Sequence, residues 1–185
     1  IWSSLVGSEM CIRDRNRRNA RRRARRGRKD PLAQSFTVDG VGAFLTSFDV
    51  YFASKDESAK LTVQLATVEL GIPTIDLVQD YAQVVLNPSD INISSDASVP
   101  TTIRFPSPVY LPPDEEYALI FLCPQSDKYE MWVSTMGEKS IKTTQLPDVQ
   151  NVIVSKQYIG GSLFKSQNGT IWTPSQNQDL TFKLR

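Results

Sequence analysis

The side chains that carry most enzyme chemistry are scarce in this chain. Its 185 residues include two Cys and no His. Ser-His-Asp and Cys-His catalysis, His-ligated zinc and imidazole proton transfer each need a group that titrates near neutrality or binds metal through a neutral nitrogen, so all are excluded. The densest acid cluster is Asp114-Glu115-Glu116. A glycosidase needs two carboxylates about 5–9.5 Å apart across the scissile bond. Adjacent acids in a turn do not establish that spacing, and a solvated turn is the plainer reading. Asp90, Asn92 and Asp96 offer oxygen ligands to calcium. They read equally as the polar face of a strand, and the glycine that bends an EF-hand loop is missing. No catalytic residue, metal or cofactor is expected.

Trp132 and Trp172 are the candidates for ligand contact. A tryptophan face on a β-sandwich stacks against the apolar C–H face of a sugar ring, so a host surface glycan is one expected partner. The competing and favoured reading is burial, with Trp132 packed on a second sheet and Trp172 capping the last hairpin. Asn92-Ile93-Ser94 and Asn168-Gly169-Thr170 match the glycosylation sequon without a secretory context to use it. Gly160-Gly161 reads as a turn, not as a phosphate-binding loop. Cys123 sits in an apolar run and is expected as a small buried hydrophobe, in preference to a disulfide with Cys11.

The formal net charge of +1 conceals an uneven distribution. Residues 1–29 hold eleven Lys and Arg against two acids, a net of +9, whereas residues 30–185 carry a net of −8. Residues 16–29, NRRNARRRARRGRK, repel one another and are expected to be disordered. Such a run binds phosphates by charge, which makes Arg21, Arg22, Arg23, Arg25 and Arg26 the nucleic-acid candidates. No aromatic residue interrupts the run to stack on bases, so nucleic acid is the least favoured partner. The longest apolar run, residues 118–123, is far short of the roughly 20 residues of a spanning helix, so no membrane segment is expected.

The elements after residue 30 follow a period of two, the pattern of half-buried strands. Phe44, Phe48, Val50 and Phe52 define one apolar face, and Leu61, Val63 and Leu65 another. Residues 117–123, YALIFLC, are apolar on both faces and suit the central strand. Tyr129, Met131 and Val133 form a neighbour; residues 101–105 and 109–111 are shorter strands separated by Pro106 and Pro108. A short helical piece is expected only within residues 75–81 or 88–91. Asn168-Gly169 marks a hairpin, and Leu180, Phe182 and Leu184 a last strand. The expected fold is all-β: an antiparallel β-sandwich, jelly-roll-like, with a C-terminal β-hairpin extension and a disordered Arg-rich N-terminus. Burying Phe48, Phe52, Val63, Leu65, Leu119, Phe121, Met131 and Val133 contributes about 1.5–3 kcal/mol each. The expected division is a segment 1–29, a sandwich 30–137, and a linker with hairpin and strand over 138–185 that begins a further module of a longer protein.

Two resemblances complete the reading. Residues 3–15, SSLVGSEMCIRDR, resemble a peptide that arises when sequencing-adapter DNA is translated at the end of an assembled fragment, which implies no biological role for them. DPLAQSF at 30–36, GAFLTSFDVYFASKDES at 42–58 and VVLNPSDI at 84–91 resemble virion structural proteins of contractile-tailed bacteriophages, in particular those of marine cyanobacteria. So do the stretches 105–134 and 160–184. The resemblance implies a tail-fibre or baseplate building block, located in the virion and assembled in the host cytoplasm. It also implies a homo-oligomer that contacts other tail proteins. It carries no catalytic signature.

Overall fold

The computed structural model describes residues 8–11, 31–138, 153–167 and 169–185. The strands in chain order are β1 (Ser8–Cys11), β2 (Leu32–Val38), β3 (Ala43–Val50), β4 (Phe52–Ser54), β5 (Leu61–Glu69), β6 (Ile72–Leu77) and β7 (Gln83–Leu86). They continue as β8 (Thr101–Leu111), β9 (Glu115–Leu122), β10 (Glu130–Thr135), β11 (Leu163–Ser166), β12 (Trp172–Ser175), β13 (Gln178–Leu180) and β14 (Phe182–Leu184). A 3-10 turn at Pro88–Asp90 is the helical piece among the described residues.

The protein is an all-β, antiparallel sandwich of two layers. The back layer is a seven-stranded sheet in the order β12-β11-β2-β9-β5-β6, with β7 also paired to β5. The front layer is β14-β3-β8, continued by β10 with β1, β4 and β13. The two front sheets are continuous. β3 runs into β4 through Tyr51 and β13 into β14 through Thr181, while Trp132 N–H donates to Tyr51 O and Thr181 N–H to Trp132 O across the junction. The pairs β2 with β9, β3 with β8 and β5 with β7 are nested in sequence, which is how a long hairpin rolls into a jelly-roll-like sandwich.

Burial explains why these segments are strands. The eight side chains expected as the core are all fully buried, and they come from β3, β4, β5, β9 and β10, so both layers contribute. On β9, Tyr117, Leu119 and Phe121 enter the main core while Ala118 and Ile120 enter a smaller cluster on the outer face of the back sheet. That two-sided burial is what an apolar run on both faces requires.

Four expectations need correction. First, Phe44 does not share a face with Phe48. The β3–β8 register jumps from Leu45↔Val109 to Ser47↔Arg104, a bulge that reverses the side-chain phase, so Leu45 is buried and Phe44 faces solvent. The same bulge absorbs Pro106 and Pro108, which lack the N–H a ladder needs, and β8 runs as one strand along the edge of its sheet. Second, residues 75–81 form no helix: Ile72–Leu77 pairs with β5, and Ala82 N–H closes a turn on Gln79 O. Third, residue 137 is not a break between folding units. β11 pairs with β2, β13 with β10 and β14 with β3, so the C-terminal strands complete both layers, with β11–β12 the hairpin extension. Fourth, the N-terminal segment contributes a strand, as Ser8–Cys11 pairs with Glu130–Val133 of β10.

Candidate functional site

The bulge between β3 and β8 creates the most distinctive surface. Phe44 and Tyr110 are directly opposite on β3 and β8, and their rings lie 5.1 Å apart at 49°. Phe44 is 65% exposed and Tyr110 43% exposed. Alternation dictates Tyr110's position: Val109 and Leu111 on either side point into the core, so the residue between them points out. Val41, at the entry to β3, is exposed too. Gly42 makes the approach of this entry loop feasible. Its φ is +77°, and a Cβ there would lie 2.8 Å from Leu111 O and 3.0 Å from Tyr110 Oη. Below the pair, Tyr81 donates its hydroxyl hydrogen to Pro108 O at 3.1 Å, tying the turn after β6 to the bulge of β8. The result is an aromatic platform on a proline-interrupted edge strand.

The tryptophans do not present such a platform. Trp132 is 5% exposed on the outer face of β10, and its Nε1–H donates to Ser94 O at 3.0 Å. Trp172 is 8% exposed and packs with Ala33, Ala66, Ala118, Ile120 and Phe164 on the back sheet. Neither ring face is open for a sugar. A polar donor on a large apolar ring favours burial with a backbone acceptor, and the outer faces of β10 and β9 supply it with cover. The exposed aromatics went unnoticed in the sequence because alternation alone assigned Phe44 to the core. The signal that would have found them is the adjacency of apolar residues at Phe44-Leu45 and Val109-Tyr110-Leu111, since one of each neighbouring pair must face outward.

The acidic candidates are engaged in turns. Asp114 has φ +59° and donates its N–H to Val38 O at the β8–β9 turn. Glu115 accepts from the hydroxyl of buried Tyr117 at 3.2 Å. Asp90 accepts from the backbone N–H and side-chain amide of Asn87, closing a capping box, and these hydrogen bonds hold its carboxyl below the ordinary range. Asp96 accepts from Ser98 N–H, and Asn92 donates its side-chain amide to Pro100 O. Among the described residues no group of three or more His, Cys, Asp or Glu could hold a metal ion. Cys123 is buried, with its thiol directed at Lys60 O. Arg21, Arg22, Arg23, Arg25 and Arg26 lie outside the described residues.

A second cluster anchors the loop after β4. Asp56 accepts from Ser126 Oγ at 2.6 Å and from both the hydroxyl and the backbone N–H of Ser58. Those hydrogen bonds hold its carboxyl well below the usual range, with a smaller contribution from Lys128. Tyr129 donates to Ala59 O at 2.6 Å beside it. The cluster ties the β4–β5 and β9–β10 connections together.

No family model matches this chain, and no curated protein matches it. Among solved structures it is similar to the cysteine protease and lectin-like domains of Cwp84, a surface layer associated protein of Clostridium difficile, with 16% identity and a TM-score of 0.43. The alignment covers 84% of this chain, which spans 31% of the length of that one.

Proposed function

We propose that this chain is a non-enzymatic structural component of a phage tail, in a tail fibre or baseplate, that acts by assembling with other tail proteins. The observation that carries the contact role is the Phe44–Tyr110 platform. Large aromatic side chains on a rigid strand pair supply contact area at little entropic cost, which is the usual composition of an interface centre. The phage reading rests on the sequence resemblance across residues 30–184. Copurification with tail particles is the test, using the full chain and a Phe44→Ser/Tyr110→Ser variant. The wild type is expected in the particles and the variant depleted from them. A wild type that never enters tail particles would defeat the proposal.

The same platform favours one second reading, a glycan-contacting module, because both of its rings face solvent. Affinity electrophoresis in host polysaccharide separates the two. Retardation abolished by Phe44→Ser/Tyr110→Ser but kept by Trp132→Phe supports glycan contact, and no retardation of the wild type removes it.

A further inference from the structure

The C-terminal strands are fastened to the back layer by a buried polar pair. Gln34 of β2 reaches across the core and donates from Nε2 to Asp179 Oδ1 at 3.2 Å. Its Oε1 accepts from Leu180 N–H at 2.7 Å. Both residues are buried, Gln34 completely and Asp179 at 3% exposure. Asp179 also accepts from the Gln157 side chain and the Tyr158 N–H. Ser134 of β10 stands opposite it in the ladder. The nearest ammonium on β11, that of Lys165, is bonded to the Gln178 side chain at 2.9 Å. Among the described residues the Tyr158 phenol also faces this site, with Asp39 and Glu116 acting on that phenol as well. Among the described residues, every group that holds the carboxyl is therefore a neutral dipole, whereas a buried carboxylate is ordinarily matched by a cation.

We propose that Gln34 and Asp179 form a proton-operated latch, which fastens the β13–β14 strap to the back layer in acid and loosens it as the pH rises. In its neutral form Asp179 keeps an acceptor oxygen for Gln34 without placing a charge in the core. Ionised, it must be stabilised by dipoles alone, and opening the strap lets water solvate it. Burial is the dominant influence on this carboxyl and pushes its pKa above the ordinary aspartate value. The linkage sign follows. A group whose native pKa is raised contributes stability that is fully present below the unfolded value, about 3.9, and is lost as pH climbs through the native value.

Hydrogen exchange on the full chain reads the latch directly. The informative amides are Leu180, bonded to Gln34, and Thr181, bonded to Trp132 O. Arg185 at the far end of the strap pairs with Asp49, so amides there are left out. After correction for intrinsic exchange, protection at Leu180 and Thr181 is expected to fall about tenfold per pH unit between about 3.9 and the native pKa of Asp179, and then level off. Leu119, in the middle of β9, should hold its protection throughout. Asp179→Asn should remove the pH dependence. A second measurement, the NMR titration of the Asp179 carboxyl carbon in the unaltered chain, stands if that variant fails to fold. A midpoint at or below about 3.9 overturns the proposal. So does protection at Leu180 and Thr181 that tracks Leu119 at every pH.

Discussion

Phe48 of β3 stands edge-on to Phe121 of β9, with ring centroids 6.5 Å apart and planes at 77°. This contact joins the two layers at the middle of the core, and both rings are fully buried. Truncating Phe48 to Ala should therefore cost about 3–5 kcal/mol, since the layers are held apart by other side chains and the cavity cannot collapse. Phe44→Ala, four residues earlier but across the bulge, should cost at most about 1 kcal/mol, the worth of an exposed aromatic pair. Urea unfolding of both variants measures the difference. Similar losses at the two positions would show that the bulge does not turn Phe44 outward.

Gly161 is where the chain leading into β11 passes closest to β2. A Cβ there would lie 2.0 Å from Ser35 O, and Ser35 N–H donates to Ser162 O at 2.9 Å in the same crossing. The obstacle is backbone, which cannot swing aside as a side chain could. Gly161→Ala should destabilise by about 1–3 kcal/mol or more through this overpacking. Gly40→Ala meets no neighbouring atom, so only its φ of +84° opposes it, at about 1 kcal/mol. Thermal denaturation of the two variants should rank them in that order, and the reverse order would refute the close crossing.

These two sites mark the border of what was legible in the sequence. Alternation located the core because burial acts on side chains one by one: Val63, Leu65, Met131 and Val133 point where period two puts them. It mistook Phe44 because a bulge shifts the phase without changing composition. It split β8 at Pro106 and Pro108 because a missing N–H is harmful only where a partner awaits it, and the bulge provides none. The integration of β11, β13 and β14 was hidden for a different reason. Their partners on β2, β10 and β3 are far away in sequence, and the long-range pairing that chooses them leaves no local mark. Burial is the favoured reading of Trp132 and Trp172 from their type, whereas their cover, Ser94 over Trp132 and Phe164 with Ile120 beside Trp172, is not specified by a strand pattern.

Leu70 is fully exposed at the tip of the β5–β6 hairpin with φ +52°, followed by Gly71 at +74°. Two successive positive φ values define the tight turn that suits right-twisted strands, and Asn-Gly is its preferred sequence. A branched apolar residue there carries a conformational cost and returns no burial. Leu70→Asn should therefore raise stability by about 0.5–1 kcal/mol without altering the fold. A rise in the urea midpoint with unchanged slope is the expected result, and a loss of stability would mean the turn adopts another geometry.

Tyr117 and Tyr129 give the chain an alkaline limit. Burial is the main reason both phenols are pushed up to about 12, helped at Tyr117 by Glu115 and at Tyr129 by Cys123 and Asp56. Tyr129 donates to Ala59 O, and Tyr117 to Pro112 O at 3.1 Å, bonds that only the protonated hydroxyl makes. Because the native pKa lies above the unfolded value of about 10, their contribution is fully present below pH 10 and is lost as pH rises through about 12. Absorbance of phenolate should accordingly show Tyr117 and Tyr129 among the phenols still silent at pH 11 in the folded chain, and both titrating normally in denaturant. Tyr129→Phe should remove one silent phenol and shift alkaline unfolding. It should also lower neutral-pH stability by about 1 kcal/mol, the worth of a buried hydroxyl hydrogen bond. If all phenols ionise together near pH 10 while the fold persists, the hydroxyls of Tyr117 and Tyr129 are not held as described.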